Sequence, residues 1–397
     1  MNDTAPHRGS LDARTRVRLA LDHHEADRIP RDLGGTRFTG IHVGVYPAFR
    51  TALGLPPVEP LISDVSQQLA RIDDDVLEAV GADVRGVEPR APSTWQRVIE
   101  TDGRFRSFRD EWGVVRSMPL DGGLYYDATR APLAGTISAA DVRAFPWPDP
   151  ADPARYAGMG EAARRIVEME RRAIFVGSIC AGITETYFRM RGYEDGYADL
   201  KGDPAMARRI MERILEVKLG YWERALAELG ETVDVVGEAD DLGAQHSLLF
   251  SPATYRSVVK PLHAELFAFF HARTRAKVFL HSCGAIRPLI PDLIEIGVDV
   301  LNPIQVSAQG MAADGLARDF GRDLVFWGGA VDAQGTLGRA TPDEVGAEAR
   351  RHVATFAPGG GYLFASIHNV QPNVPPANIV ALWRAIEAVS PVRRAGG

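Results

Sequence analysis

The chain has 397 residues, 45% of them hydrophobic, so it is long enough for one large barrel or for two smaller modules. Its 45 basic and 52 acidic side chains give a net charge of −7, which argues against a general nucleic-acid or anionic-membrane binder. Residues 1–18 contain no apolar signal segment, and no apolar run reaches membrane-spanning length. The two cysteines are too few for a disulfide framework, so we expect a cytoplasmic protein.

Short apolar runs, broken by glycine or polar residues, recur along the chain and predict buried parallel strands. Two early strands are expected near residues 29–33 and within residues 82–87. Six more are expected at residues 173–177, 233–237, 277–281, 298–301, 324–327 and 362–365. Eight such strands would close a barrel.

Helix-like runs with start signals lie between these strands. The signals are a capping-box sequence at residues 341–344, a related spacing at 138–141, Asp-Pro at 203–204 before a run to 219, and Ser-Pro at 251–252 before a run to about 276. Strands that alternate with helices predict a parallel sheet with right-handed crossovers.

We therefore expect an α/β fold in which residues 1–397 form one barrel domain of the (β/α)8 TIM type. Residues 1–30 would be an N-terminal helical extension. A small hairpin, with strands at residues 104–108 and 113–116, would be inserted within about 95–130, before the main series of strands and helices.

The triplet His281-Ser282-Cys283 carries the clearest chemical signal. Residues two apart on an extended strand share one face, so an imidazole and a thiol leave the end of this buried strand side by side. Both are good zinc ligands. The alternative is that Cys283 is a small buried hydrophobe and His281 a histidine satisfied by the fold. Because the chain has two cysteines, any zinc site has to recruit histidine or carboxylate.

Polar residues follow five of the predicted strands at the point where each strand ends. They stand at residues 238–245, 281–284, 302–305, 328–334 and 366–371. The carboxyl ends of the strands in a parallel barrel carry the active site, so these residues predict a functional rim. A carboxylate after a strand can instead be the N-cap of the next helix.

The chain resembles the uroporphyrinogen decarboxylase superfamily in five segments. They are residues 14–30, Asp-Asp-Leu-Gly at 240–243, His-Ser-Cys-Gly at 281–284, residues 294–303, and Pro-Pro-Ala-Asn-Ile at 375–379. The resemblance covers nearly the whole chain and implies a (β/α)8 barrel. It also implies one of two chemistries, which are cofactor-free decarboxylation of a tetrapyrrole and zinc-dependent methyl transfer with a corrinoid protein.

The two branches of that superfamily differ in their motifs. Residues 31–38 keep two arginines but not the arginine- and glycine-rich motif of the decarboxylases. The methyltransferases share H-x-C and a later cysteine near a C-terminal Pro-x-x-Asn; counting back from Asn378, that position holds His368. The resemblance therefore implies the zinc-dependent, corrinoid methyltransferase-like branch, with His281, Cys283 and His368 as zinc ligands and a fourth position open.

A histidine in place of the second cysteine makes the implied zinc site less negative and the ion a stronger Lewis acid. We therefore expect a demethylase that polarises the oxygen of an O-methyl substrate, with a methoxy-aromatic compound favoured. The corrinoid (cobalamin) should be carried by a separate protein, because the chain has no D-x-H-x-x-G-type module for it. The predicted catalytic residues are Asp240, Asp241 and Gln245, and the predicted substrate-binding residues are Glu238, Asn302, Gln305, Trp327 and Arg37.

Two other functions stay open at this point. One is a cofactor-free decarboxylase of a tetrapyrrole or aromatic acid, with Asp241 and Arg37 as the working pair. The other is a non-catalytic barrel that binds a corrinoid or a small molecule. The sequence also leaves open the methyl donor, the direction of transfer and whether Glu238 ligates the metal. A homodimer is expected from fold analogy alone.

Overall fold

The computed structural model describes residues 11–387 and 389. Its strands in chain order are β1 (Ile62–Asp64), β2 (Leu69–Ala70), β3 (Val84–Val87), β4 (Glu100–Thr101), β5 (Phe105–Arg109), β6 (Val115–Pro119), β7 (Asp127–Arg130), β8 (Ala173–Gly177), β9 (Val235–Ala239), β10 (Lys277–His281), β11 (Val300–Asn302), β12 (Val325–Trp327) and β13 (Tyr362–Leu363).

The helices alternate with the strands in the second half of the chain. In chain order they are α1 (Ala13–Leu21), α2 (Tyr46–Ala52), α3 (Asp74–Val80), α4 (Ala139–Ala144), α5 (Met159–Arg165), α6 (Ile183–Arg191), α7 (Tyr193–Gly202), α8 (Pro204–Leu229), α9 (Pro252–Thr254), α10 (Lys260–Arg273), α11 (Ile290–Glu295), α12 (Ala313–Phe320), α13 (Thr336–Arg339), α14 (Pro342–Phe356) and α15 (Pro376–Glu387).

A parallel sheet forms the centre of the fold. Its strands follow the order β13-β12-β11-β10-β9-β8-β3. Arg31 joins the two end strands: it forms a parallel bridge with Phe364, and its carbonyl accepts the backbone N–H of Asp83 at 2.8 Å. The segment predicted near residues 29–33 therefore takes the eighth position in the ring, and the predicted (β/α)8 barrel is confirmed.

Aromatic side chains from alternate strands fill the inside of the barrel. The ring of Phe175 on β8 contacts the ring of Phe279 on β10 with centroids 5.0 Å apart, and Phe279 contacts Trp327 on β12 at 5.4 Å. Side chains from alternate strands commonly share one layer of such a barrel. Val17 and Ala20 of α1 belong to the same apolar cluster, so the N-terminal helix covers the bottom of the barrel.

The helix start signals are present where the sequence predicts them, but two ends differ. Both predicted capping boxes form, at the starts of α4 and α14. The long helix α8 continues ten residues beyond the predicted end at 219, because Tyr221, Trp222 and Ala225 extend its buried face. The predicted helix after Ser251 is instead α9, a π-helical turn at Tyr255–Val259, and α10, which ends at Arg273.

An antiparallel sheet is inserted between the barrel strands β3 and β8. The two predicted hairpin strands pair as β5 and β6, and β4 and β7 extend the hairpin to a sheet of order β4-β5-β6-β7. We name residues 100–130 the inserted sheet. It is tied to the mouth of the barrel, since the backbone N–H of Tyr126 donates to Ser66 O at 2.8 Å and the His42 ring contacts Leu124 O at 2.8 Å.

Among the helices of residues 11–387, we find none with both the length and the apolar character needed to cross a membrane.

Candidate metal centre

Three side chains from two distant parts of the chain meet at the C-terminal end of the barrel. His281 is the last residue of β10, Cys283 follows two residues later, and His368 stands in the loop after β13. Their candidate ligand atoms all lie within 4.8 Å of one another. The two imidazole rings have centroids 5.2 Å apart, with an angle of 71° between their planes. The structure therefore brings together the three side chains that the sequence predicts as metal ligands.

The ring of His281 is fixed from two sides. Its Nδ1 lies 2.5 Å from Oδ1 of Asn302, whose Nδ2 donates to the carbonyl of Trp327 at 2.8 Å. Because a carbonyl only accepts, this second bond directs the amide oxygen to the histidine, so Nδ1 carries the ring proton. Phe38 stacks on the ring at 4.1 Å with 16° between the planes. Nε2 is therefore free to bind a metal.

Both histidines are neutral at neutral pH. Burial lowers the pKa of His281 to about 4. Burial, together with the nearby His281, lowers the pKa of His368 to about 3. A neutral imidazole offers a lone pair to a metal ion, whereas an imidazolium does not.

The thiol of Cys283 lies 3.4 Å from Nε2 of His281. Two ligands of one tetrahedral zinc ion are about 3.5 Å apart, given Zn–S and Zn–N bonds of about 2.3 and 2.0 Å. Burial raises the pKa of this thiol well above its usual range, and the nearby carboxylates of Asp241 and Glu185 raise it further. A bound cation would supply the positive charge that a thiolate needs at this position.

His368 is oriented differently from His281. Its Nδ1 accepts the backbone N–H of Asn369 at 2.8 Å, so the proton of the neutral ring lies on Nε2. Metal binding through Nε2 would require that proton to move and this hydrogen bond to break. The ring of His368 is therefore less preorganised for metal binding than the ring of His281.

The donor set fits zinc better than it fits other common ions. Two imidazoles and one thiolate match the soft-to-borderline ligands that zinc selects, and three protein ligands are the number found in catalytic zinc sites. The carboxylate of Asp241 lies beside the site, with Oδ1 3.9 Å from Nε2 of His281. Its Oδ1 also accepts the backbone N–H of Cys283 at 2.7 Å, which positions the loop that carries the thiol.

A cavity of about 780 Å³ opens above these residues. His281, His368, Asp241 and Arg37 line it, so the structure places four of the predicted site residues at one cavity. Arg37 forms an ion pair with Glu88 at the wall of the cavity and does not contact Asp241. This placement gives no support to Arg37 and Asp241 as a working pair.

The structure corrects the expectation for Glu238, which is not a substrate-binding residue or a metal ligand. Residues alternate along β9, so Gly237 and Ala239 face the barrel axis while Glu238 faces the helices. Its carboxylate accepts from Lys218 Nζ at 2.6 Å and from Trp222 Nε1 at 2.6 Å. Glu238 and Lys218 therefore form a buried ion pair between β9 and α8.

Asp240 is also turned away from the cavity, which corrects its predicted catalytic role. It is buried, and its Oδ2 accepts the backbone N–H of Thr184 and contacts Nε2 of His263, each at 2.9 Å. Burial alone would raise its pKa, but these hydrogen bonds lower it. Asp240 anchors the start of helix α6.

Three other predicted residues support the site without lining the cavity. Gln305 donates to Gln245 Oε1 at 2.8 Å and accepts the Gly284 N–H at 2.8 Å, while Gln245 Nε2 donates to Ser307 O. These bonds join the loops after β9, β10 and β11, so the structure places Gln245 and Gln305 in a loop-supporting network rather than at the cavity. Trp327 is fully buried in the barrel and donates Nε1 to Asp32 at 3.0 Å, so it cannot contact a substrate either.

Asn302 also lies outside the cavity lining, and it contacts the candidate ligand His281 rather than a substrate. This corrects its predicted role as a substrate-binding residue.

Phe38, Glu185 and Arg189 are among the residues of the cavity wall that sequence reasoning missed. Phe38 stacks on His281, and Glu185 on α6 pairs with Arg189 at 2.8 Å. Burial raises the pKa of Glu185 to about 7, against the opposing effect of Arg189. Glu185 and Arg189 stand four residues apart on the helix that directly follows β8, and that position at a strand end was the available signal.

Comparison with known proteins gives the family. Residues 123–389, more than half of the chain, match the model of the family described as Uroporphyrinogen decarboxylase (URO-D), and the chain belongs to that family. A uroporphyrinogen decarboxylase from Alkalilimnicola ehrlichii is 24% identical over 288 residues, which cover 70% of this chain and 72% of that protein. One from Thioalkalivibrio sulfidiphilus is 27% identical over 284 residues, which cover 69% and 76%.

A similar solved structure is a methyltransferase from Methanosarcina mazei. It covers 95% of this chain and 99% of its own, with a TM-score of 0.63 and 18% sequence identity. At this identity, the likeness shows a shared fold.

Proposed function

We propose that this protein is a zinc-dependent methyltransferase that moves a methyl group between a small O-methylated substrate and a corrinoid carried by a separate protein. The observation that carries the proposal is the meeting of His281, Cys283 and His368 in one cluster, two of whose members, His281 and His368, line the cavity. Three such ligands leave a fourth position for a substrate oxygen. The shared fold with a methyltransferase from Methanosarcina mazei supports the same branch of the family.

A zinc ion at this site would act as a Lewis acid on the ether oxygen of the substrate. The chain's own contribution is to hold the ligands in place before the substrate arrives. Asn302 fixes the proton of His281 on Nδ1, Phe38 restricts the tilt of the ring, and Asp241 holds the loop that carries the thiol. Such supporting contacts commonly decide how well a metal is bound.

A proton is also available in the cavity. Glu185 lines the same cavity as His281, and its pKa of about 7 means that its carboxyl group holds a proton in part of the molecules at neutral pH. A group with that pKa is suited to protonate an oxygen that leaves with the electron pair of the broken C–O bond. The corrinoid would supply the cobalt centre that exchanges the methyl group.

The test follows methyl transfer in the purified protein loaded with zinc. Free cob(I)alamin replaces the carrier protein, 4-methoxybenzoate is the probe substrate, and formation of methylcobalamin is read from its absorbance spectrum. We expect activity in the wild type and none after chelation or in Cys283→Ala. The matched control is Cys180→Ala, because Cys180 is the other half-buried cysteine and lines the cavity but is outside the three-residue cluster.

Two outcomes would contradict the proposal. Equal loss of activity in Cys180→Ala and Cys283→Ala would show that the three-residue cluster has no specific role in the reaction. Release of CO2 from a tetrapyrrole or aromatic acid by metal-free protein, without methyl transfer, would support the decarboxylase function that the names of the relatives suggest.

A further inference from the structure

Six arginines line the cavity, and four of them have a carboxylate partner within the protein. Each of the four forms an ion pair with a carboxylate. The pairs are Arg37 with Glu88, Arg116 with Asp110, Arg155 with Glu111, and Arg189 with Glu185. These four guanidinium groups are therefore engaged by acidic side chains before any ligand binds.

Arg90 and Arg97 are the other two arginines of the cavity. Across residues 11–387 and 389, neither guanidinium group has a carboxylate within ion-pair distance or donates a hydrogen bond. Both lie on the segment that leads from β3 to the inserted sheet. This side of the cavity therefore carries two positive charges with no acidic partner in the described part of the chain.

The guanidinium of Arg97 is nevertheless held in place. It lies over the ring of Trp95 at 5.5 Å and over the ring of Phe108 at 5.2 Å from the ring centroids. Phe108 in turn packs edge-on against Tyr126 at 5.1 Å. Stacking uses the flat faces of a guanidinium and leaves its N–H groups, which point outward in the plane, free to bind an anion.

We propose that Arg97, supported by Arg90, forms an anion subsite that binds the carboxylate of an aromatic acid, whose O-methyl group is presented to the metal centre. The segment that leads from β3 to the inserted sheet then determines substrate specificity. This inference rests on the proposed function for the identity of the reacting group. A fork of N–H donors matches a carboxylate in two parallel hydrogen bonds, and Trp95 and Phe108 provide flat surfaces beside an aromatic ring.

The two ends of the cavity offer an anionic group different partners. Asp241 adjoins the metal ligands, with Oδ1 3.9 Å from Nε2 of His281, so it would offset the net positive charge of a zinc ion that has one thiolate ligand. Among the described residues, Asp64 and Asp127 also line the cavity without an ion pair, and Asp64 accepts the Gln67 N–H at 2.9 Å, so charge alone does not select an orientation. The forked N–H donors of Arg97 match a carboxylate and the zinc ion would bind the ether oxygen, so the neutral methyl ether would face the metal.

The test compares the binding of two probes by calorimetry, using zinc-loaded protein without any corrinoid. The probes are 4-methoxybenzoate and methoxybenzene, which differ in the carboxylate. We expect the wild type to bind 4-methoxybenzoate about tenfold or more tightly than methoxybenzene, and Arg97→Gln to lose most of that preference. Arg97→Lys should retain only part of it, because lysine keeps the charge but not the planar fork.

The matched control is Arg104→Gln. Arg104 also stacks on a ring of the inserted sheet, with 5.8 Å to the Phe105 centroid, but it does not line the cavity. The preference should be unchanged in this variant. Cys283→Ala lacks a metal ligand, so it should lose methyl transfer. If it still prefers 4-methoxybenzoate over methoxybenzene, the anion subsite is supported independently of the proposed function.

Two results would overturn the inference. One is equal affinity of the wild type for both probes. The other is an unchanged preference in Arg97→Gln, which would make Arg97 an ordinary solvated surface arginine. Because Arg97 is exposed, its replacement should leave the fold intact, and an unchanged thermal midpoint would verify this.

Discussion

At the N-terminal end of the barrel, the Asp83 carboxylate accepts hydrogen bonds from Arg16 and Arg28, and Asp234 is bound in the same way by Arg14. At the C-terminal end, Nε2 of His281 and the thiol of Cys283 lie 3.4 Å apart, and among the described residues no lysine or arginine forms an ion pair with the neighbouring Asp241. Within one sheet, β3 and β9 thus begin beside satisfied ion pairs, whereas β10 ends at available ligand atoms. Stability and chemistry are separated by the length of a strand.

Replacement of Asp83, at the N-terminal end of the barrel, should lower stability more than any other change that we propose. Asp83→Ala leaves the buried guanidinium of Arg16 with half of its ion pairing, because Asp27 is its other partner. Breaking a buried pair by removing one member lowers the free energy of unfolding by about 3–5 kcal/mol. Urea unfolding measures the loss.

The control for Asp83→Ala is Glu212→Ala, which breaks an exposed pair with Arg208 and should change stability little. The opposite result would be that Asp83→Ala weakens zinc binding in the folded protein and leaves its stability unchanged. That result would contradict the assignment of stability to the N-terminal end and of metal binding to the C-terminal end.

The second effect is a dependence of stability on pH, which comes from the two histidines at the C-terminal end of the barrel. In metal-free protein, the pKa values of His281 and His368 are lowered to about 4 and 3 from 6.5. Below pH 6.5 the unfolded chain takes up protons that the folded chain does not. Stability is therefore fully present above pH 6.5 and falls toward pH 4, by about 1.4 kcal/mol per pH unit for each histidine.

Urea unfolding of chelator-treated protein at about pH 7 and pH 5 measures this dependence. The double variant His281→Asn, His368→Asn should lose less stability between the two pH values than the wild type. An equal loss in both proteins would show that the two rings are not neutral in the folded state.

The smallest expected effect concerns the support of one ligand. Asn302→Ala removes the acceptor that keeps the proton of His281 on Nδ1, and we expect zinc affinity to fall by about 10- to 100-fold. Competition with a chelator of known affinity measures the change. The matched control is Asn378→Ala, a buried asparagine whose Nδ2 donates to backbone carbonyls away from the site. Equal losses in both variants would mean that Asn302 acts only through general stability.

The barrel could be predicted from the sequence because its signal is local and repeated. Short apolar runs, separated by helices with their own start signals, define each strand without reference to the others. The eighth strand is only a bridge at Arg31, yet its apolar neighbours near residues 29–33 sufficed to place it. The end of α8 was missed because the packing of Trp222 depends on Glu238, a partner that lies 16 residues away.

The site was predictable only in part, because β9 is buried on both faces. All five of its residues are buried, so no alternation of polar and apolar residues shows which side faces the axis. Glu238 and Asp240 were therefore placed on the wrong side. A lysine at 218, within the apolar face of α8, was the available signal for a buried acidic partner. Phe38 lies in a loop whose sequence carries no comparable signal.

We expect the C-terminal end of the barrel to hold one metal ion through two imidazoles and one sulfur. X-ray absorption at the zinc edge of the purified, zinc-loaded protein measures these ligands. We predict a single sulfur at about 2.3 Å, with the other ligands nitrogen or oxygen at about 2.0 Å, and loss of the sulfur in Cys283→Ala. A first shell without sulfur in the wild type would contradict this prediction.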